Sequence, residues 1–261
     1  MYNFDFVKPA TVEEALAALS DEDAQPLSGG QTLIPSMKQR LNAPSKLVSL
    51  LGIAALKGVK TSGDVMEIGA TTTHAEVAAQ ATAYPALAAL AGAIGDPAVR
   101  NRGTLGGSLA NNDPAACYPA AVLASGATVV TSGREIAADD FFDGMFTTAL
   151  DDGEIVTAVK FPIPQAAAYV KFEQPASRFP LCGVFVAKYA DGVRVAVTGA
   201  SEEGVFRWTE AEAALSADFS AGALTDLSLP ADGMMTDLHG SAEYRAHLVK
   251  VLTGRAVSAA A

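Results

Sequence analysis

The sequence predicts an α+β protein, with mixed strand and helix segments first and an antiparallel sheet with helices after them. Three observations predict this. Up to residue 165, short apolar runs alternate with capped or alanine-rich helical segments. The Pro-rich stretch "FPIPQAAAY" then breaks the pattern. Beyond it, "GVFVAKYADGVRVAVTGA" reads as two strands around an Asp191-Gly192 turn, and two helical segments follow.

Each element has a local reason. Thr11 and Glu14 stand at capping-box spacing, and Ala15, Leu16 and Leu19 continue an apolar helical face. "QPLSGGQTLIPSMK" switches from helix to a Gly29-Gly30 turn, and "KLVSL" is a short buried strand. In "GDVMEIGATTTHAEVAAQ", Val65, Met66 and Ile68 form a strand that Gly69 breaks, and Thr73 with Glu76 makes a second capping box. Tyr84 to Ile94 is alanine-rich and predicted helical, with Pro97 as its stop. "AAVLASGATVVTS" predicts helix, Gly126 turn and strand, and "EIVTAVKFPIP" a strand closed by Pro162 and Pro164. "TEAEAALS" and "SAEYRAHLVKVLTGRAV" are helices, the latter with Tyr244, Leu248, Val251 and Leu252 on one apolar stripe.

Composition narrows the function. With 261 residues, half of them apolar, the chain can bury a sizeable core. Its net charge of −11 argues against nucleic-acid and anionic-membrane partners. No apolar run reaches the roughly 18 residues of a transmembrane helix, and "MYNFDFVKPA" lacks a signal-peptide core, so a cytoplasmic setting is expected. Cys117 and Cys182 alone cannot build a zinc or iron–sulfur cage.

The stretch "GTLGGSLANNDPAACYPA", Gly103 to Ala120, carries one charged residue, Asp113. Small residues let successive backbone N–H groups converge on phosphate oxygens without help from lysine. "SGGQT" and "GTLGGS" both have this character, with Ser28, Thr32, Thr104 and Ser108 flanking the glycines. An ordinary turn explains either loop equally well. Neither is GxGxxG or GxxxxGK[ST], which disfavours Rossmann and P-loop folds.

Single residues carry weaker signals. His74 reads as a solvated or capping residue rather than a base. His239 and His247 lack metal-ligand spacing. Asp113 is either an acceptor for a sugar hydroxyl or a turn residue capping the next helix. Arg100 and Arg102 face a diphosphate, a partner chain or solvent. Trp208 and Cys182 read as packing.

Four motifs, "PLSGGQTLIPSMKQRL", "IGATTTHAEV", "GDPAVRNRGTLGGSLANNDPAACYPA" and "YVKFEQPASRFPLCGVFVAKY", resemble the FAD-binding subunits of molybdenum hydroxylases. The resemblance covers nearly the whole chain and is nearest the medium subunit of aerobic carbon-monoxide-dehydrogenase-type enzymes. It implies two α/β subdomains of the vanillyl-alcohol-oxidase and p-cresol-methylhydroxylase type clasping FAD, about 1–56 and 57–165. A C-terminal domain, 166–261, would cover the flavin. By resemblance, the first pyrophosphate loop is Ser28, Gly29, Gly30, Gln31 and Thr32, with Leu33 next. The second is Thr104, Leu105, Gly106, Gly107 and Ser108. Ile68, Gly69 and Ala70 match the family's I-G-A element. Ile94 is a wall contact, Asn111 and Asp113 lie in the cofactor segment, and Val156, Lys171 and Phe172 fall where relatives touch flavin or adenine. Phe179 stands where an aromatic packs near the isoalloxazine.

The chain departs from the family at three places. Cys117 replaces a second acid that helps hold FAD, Phe179 replaces a common Tyr, and Ser28 replaces a common Ala. The function implied is electron transfer from [2Fe–2S] clusters of a small partner, reduced by a molybdopterin large partner, through FAD to an external acceptor. The implied assembly is a cytoplasmic heterohexamer, which its partners can associate with the inner face of the membrane. No catalytic acid or base is then required in this chain. The alternatives are a self-contained FAD oxidase or dehydrogenase, and an assembly module without flavin.

Overall fold

The computed structural model describes residues 1–260 and builds three sheets from twelve strands. The first comprises β1 (Asp5–Val7), β2 (Ala24–Leu27) and β3 (Lys46–Ser49), in the order β1-β3-β2 and parallel throughout. Parallel neighbours need crossovers, which α1 (Val12–Leu19) and α2 (Leu33–Lys38) provide. Thr11 caps α1 by accepting from the Glu14 amide, while the Glu14 carboxylate accepts from Ala10 N, one residue before the expected partner.

The second sheet is antiparallel, in the order β4 (Val59–Ser62), β5 (Val65–Gly69), β8, β6, β7. Between β5 and the last three strands the chain forms α3 (His74–Gln80), α4 (Pro85–Gly92), α5 (Pro97–Arg100), α6 (Leu105–Asn111) and α7 (Tyr118–Ala124). Then come β6 (Thr128–Thr131), β7 (Glu135–Ala137), α8 (Ala138–Phe141) and β8 (Val156–Pro162). The Thr73–Glu76 capping box forms in full. Two expectations need correction. Gly69 is the last paired residue of β5 and does not break it; it is glycine because a Cβ there would lie 2.4 Å from the Leu56 carbonyl oxygen. Pro97 does not stop the alanine-rich helix, which ends at Gly92. Pro97 opens α5, where its missing N–H costs nothing, behind the Asp96 cap.

The third sheet holds β9 (Ala166–Glu173), β10 (Pro180–Lys188), β11 (Val193–Ser201) and β12 (Gly204–Arg207), in the antiparallel order β12-β11-β10-β9. The Asp191-Gly192 turn closes with Tyr189 N donating to Gly192 O. Strand β10 is buried on both faces, and its period of two sorts the faces. Phe185 and Ala187 enter the core of the second sheet. Cys182, Val184 and Val186 pack with Trp208, on α9 (Thr209–Ala217) and α10 (Ala242–Ala260). Cys182 is therefore core, its thiol pushed up to about 12 by burial.

The predicted stripe on α10 is rotated. Tyr244 is exposed and Val251 only half-buried, whereas Arg245, Val249 and Ala256 are buried beside Leu248 and Leu252. The cause is Arg245. Its Nη1 donates to the carbonyls of Leu181 (2.6 Å) and Gly199 (2.5 Å), and Nη2 to Asp237 (2.8 Å). Gly199 has a φ of +81° and turns its carbonyl inward at the β11 irregularity. Arg245→Met should cost about 2–3 kcal/mol, because it strands two carbonyls. Thermal unfolding followed by circular dichroism checks this; an unchanged melting temperature would mean water replaces the guanidinium.

Candidate functional site

The site begins where β2 ends. After Leu27 the chain turns through Ser28–Thr32 into α2, with Gly30 at a φ of +69°. The backbone amides of Gly29, Gly30, Gln31, Thr32 and Leu33 donate to no protein group among the described residues. Thr32, the residue before α2, makes no side-chain cap. Five adjacent amides without acceptors form a concave donor array.

The second glycine loop works differently from the expectation that both loops present amides. Leu105 N donates to Thr72 O, Gly106 N to Ala70 O, and Gly107 N to the Thr104 hydroxyl. A Cβ on Gly106 would sit 2.5 Å from that of Ala70. Its glycines thus allow α6 to press against β5. The two loops also meet each other. The Ser28 and Thr104 hydroxyls are hydrogen bonded at 2.8 Å, and a Cβ on Gly29 would lie 2.1 Å from the Arg102 carbonyl oxygen.

A cleft of about 560 Å³ runs past both loops. Ser28, Gly29, Gly30, Gln31, Thr32 and Leu33 line it, as do Thr104, Gly106, Gly107 and Ser108. Ala70, Ile94, Asn111, Asp113, Cys117, Val156 and Phe179 complete the predicted residues found there. The Asp113 carboxylate also accepts from Ala115 N, so it serves as the turn residue of the second reading. Cys117 is nearly fully buried, and burial pushes its thiol up.

Five predicted residues lie off the cleft. Ile68 and Leu105 are packed behind it in the core of the second sheet, and Gly69 lies against the Leu56 carbonyl. Lys171 is a buried tie. Its Nζ donates to Ala93 O (2.7 Å) and Arg178 O (2.6 Å), and so fixes the residues next to Ile94 and Phe179. Phe172, one residue on, faces the other side of β9 and meets Tyr244 edge-on.

Sequence reasoning missed Gln25, Asn42, Leu50, Glu154 and Arg178 on the cleft, and misread His74. His74 is neither solvated nor a cap, since Thr73 is the cap. It is buried on the cleft wall over Tyr118, ring centroids 5.3 Å apart, and its Nδ1 has no protein partner. Burial, and then the charge of Arg100, push its pKa down to about 4, so the ring is neutral at pH 7. Arg100 itself turns to the carbonyls of Ile94 and Gly95 rather than toward a diphosphate. Burial raises the Glu154 pKa, but hydrogen bonds from Thr131, the Asp151 amide and Arg134 more than offset it and hold the carboxyl below its ordinary value. A helical spacing could have flagged His74, three residues before the core residue Val77. The others come from separate strands and turns with no shared motif.

A donor array on a cleft with apolar lining residues fits a diphosphate joining two planar groups. Fold and cleft together define a dinucleotide-binding protein. Residues 2–164 match the FAD binding domain in molybdopterin dehydrogenase, and the chain belongs to that family. It is 37% identical over 270 residues to the nicotine 6-hydroxylase medium subunit of Paenarthrobacter nicotinovorans, covering 97% of this chain and 95% of the relative. It is 31% identical to the carbon monoxide dehydrogenase medium chain of Afipia carboxidovorans, covering 99% and 96%. The crystal structure of quinoline 2-oxidoreductase from Pseudomonas putida 86 superposes with a TM-score of 0.89 at 30% identity, over 99% of this chain and 97% of the other. The protein is thus the FAD-binding medium subunit of a molybdenum-dependent oxidoreductase, and its cofactor is FAD.

Two outcomes are expected from this geometry. Gly29→Ala should separate the loops and abolish FAD retention, read from the flavin absorbance of the purified chain; normal FAD content would show that the loops need not touch. Because the folded pKa of His74 lies below the ordinary value of 6.5, its neutral form stabilises the fold above about pH 6.5. That stability, about 3 kcal/mol, is lost as pH falls through 4. Melting curves at pH 7 and pH 4.5 should show a smaller acid loss for His74→Phe than for the unaltered chain.

Proposed function

We propose that this chain passes electrons from an iron–sulfur partner, through FAD, to an external acceptor. The observation that carries the reading is the run of acceptor-free amides from Gly29 to Leu33 on the cleft. Those amides bind the diphosphate, and Thr104 holds their loop in place through the Ser28 hydroxyl. Ala70, Ile94, Cys117 and Phe179 wall the ring system and keep water from it. FAD, when bound, supplies the redox chemistry. We assign residues 1–56 and 57–165 to the clasp and 166–261 to the cover, in line with the three sheets.

The cleft offers little for substrate acid–base work. His74 is neutral and buried, Glu154 is tied to Thr131 and Arg134, and Asp113 is engaged by an amide. This favours an electron conduit over a self-contained oxidase. We further infer a small iron–sulfur partner and a molybdopterin large partner, two of each chain in a cytoplasmic heterohexamer, as the family resemblance implies. A carbon-monoxide-type substrate is the reading the motifs favour. The relatives named for nicotine (37%) and carbon monoxide (31%), and a glyceraldehyde dehydrogenase medium chain of Sulfolobus acidocaldarius (32%), carry unlike substrates on similar flavin chains. Substrate choice therefore belongs to the large partner.

The test is co-expression with the two neighbouring-subunit types and purification of the complex. Carbon monoxide, N-heterocycles and aldehydes are then offered anaerobically. Flavin bleaching in the complex, and none in the isolated FAD-loaded chain, is expected. Bleaching of the isolated chain by a small substrate would establish the oxidase instead.

A further inference from the structure

We propose that Gln25 and Asn42 recognise the adenine edge of the bound dinucleotide, and so set FAD above FMN. The proposal rests on the flavin reading of the cleft. Gln25 lies on β2 and Asn42 in the turn between α2 and β3; both are half-buried and both line the cleft. Asn42 Nδ2 donates to Gln25 Oε1 at 3.2 Å. Two amides joined by one hydrogen bond leave one carbonyl and one amino group uncommitted, whichever way each is turned.

That pair of groups suits adenine. The base presents an amino donor beside a ring-nitrogen acceptor, the complement of one free carbonyl and one free amino group. Leu27, on β2 two residues after Gln25, and Leu50, whose amide donates to Leu27 O, also line the cleft and offer apolar surface for the faces of a base. The placement follows from chain order. Gln25 lies on β2, the strand that leads directly into the donor array. Ile94, Cys117 and Phe179 come from other elements: the end of α4, the start of α7 and the β9–β10 turn. With the diphosphate on the amides, the isoalloxazine takes the latter wall and adenine takes the amide pair. Neither residue belongs to the glycine motifs, and neither has an ionisable group.

The experiment strips flavin from the full chain and titrates it separately with FAD and FMN, following quenching of flavin fluorescence. Gln25→Met and Asn42→Ala should each weaken FAD about tenfold, the worth of roughly one net hydrogen bond, and leave FMN affinity unchanged. Unaltered circular-dichroism melting controls for folding. FAD affinity unchanged in both folded variants would overturn the proposal. So would an equal loss for FAD and FMN, which would put the pair against the flavin ring. If the unaltered chain binds neither nucleotide, the flavin reading itself falls.

Discussion

The structure depends on the contact between the two glycine loops. Ser28 and Thr104 share one hydroxyl hydrogen bond, and Gly29 lies flat against the Arg102 carbonyl. These contacts join a parallel sheet to an antiparallel one, whose cores centre on Val48 and Leu50 and on Ile68 and Val159 and meet also where Ile155, just before β8, enters the first core. The cleft is the space left open beside that join. Any side chain at Gly29 would push the loops apart and widen the cleft just where the amides converge. The small residues of the two loops thus do two jobs: one loop leaves its amides free, and the other holds it in place by close packing.

The third sheet adds the outer wall by a different device. Its strand β10 is buried on both faces and cannot shift without disrupting two cores. The β9–β10 turn carries Arg178 and Phe179 to the cleft, and Lys171 clamps that turn to the Ala93 carbonyl. A buried ammonium is costly unless it is hydrogen bonded and paired, and here two carbonyls accept from it and the Glu173 carboxylate lies 3.4 Å away as its counter-charge. Lys171 therefore shapes the cleft wall without lining it.

This arrangement also accounts for the absence of catalytic side chains from the small-residue segment. On the proposed reading, an acidic protein with a net charge of −11 holds an anionic diphosphate through backbone dipoles, which add no formal charge and need no lysine. The neighbouring polar groups are either neutral, as His74 is, or tied into local hydrogen bonds, as Glu154 and Asp113 are. Such a surrounding positions and tunes a redox cofactor while leaving proton traffic to the cofactor and to partner chains.

Short-range chemistry was readable from the chain itself. The Thr73–Glu76 box, the Asp191-Gly192 hairpin, the Gly29-Gly30 bend and the motifs of the flavin family are all set by residues within a few positions of each other, where steric limits and local hydrogen bonds decide. What tertiary structure alone decided are choices made between distant segments. Arg245 became core because the carbonyls of Leu181 and Gly199 turn toward it. Lys171 left the cleft because Ala93 and Arg178 offered it acceptors. The second glycine loop spent its amides on Ala70 and Thr72. In each case a polar group took the nearest partner the packed fold supplied, and no local pattern encodes which partner that is.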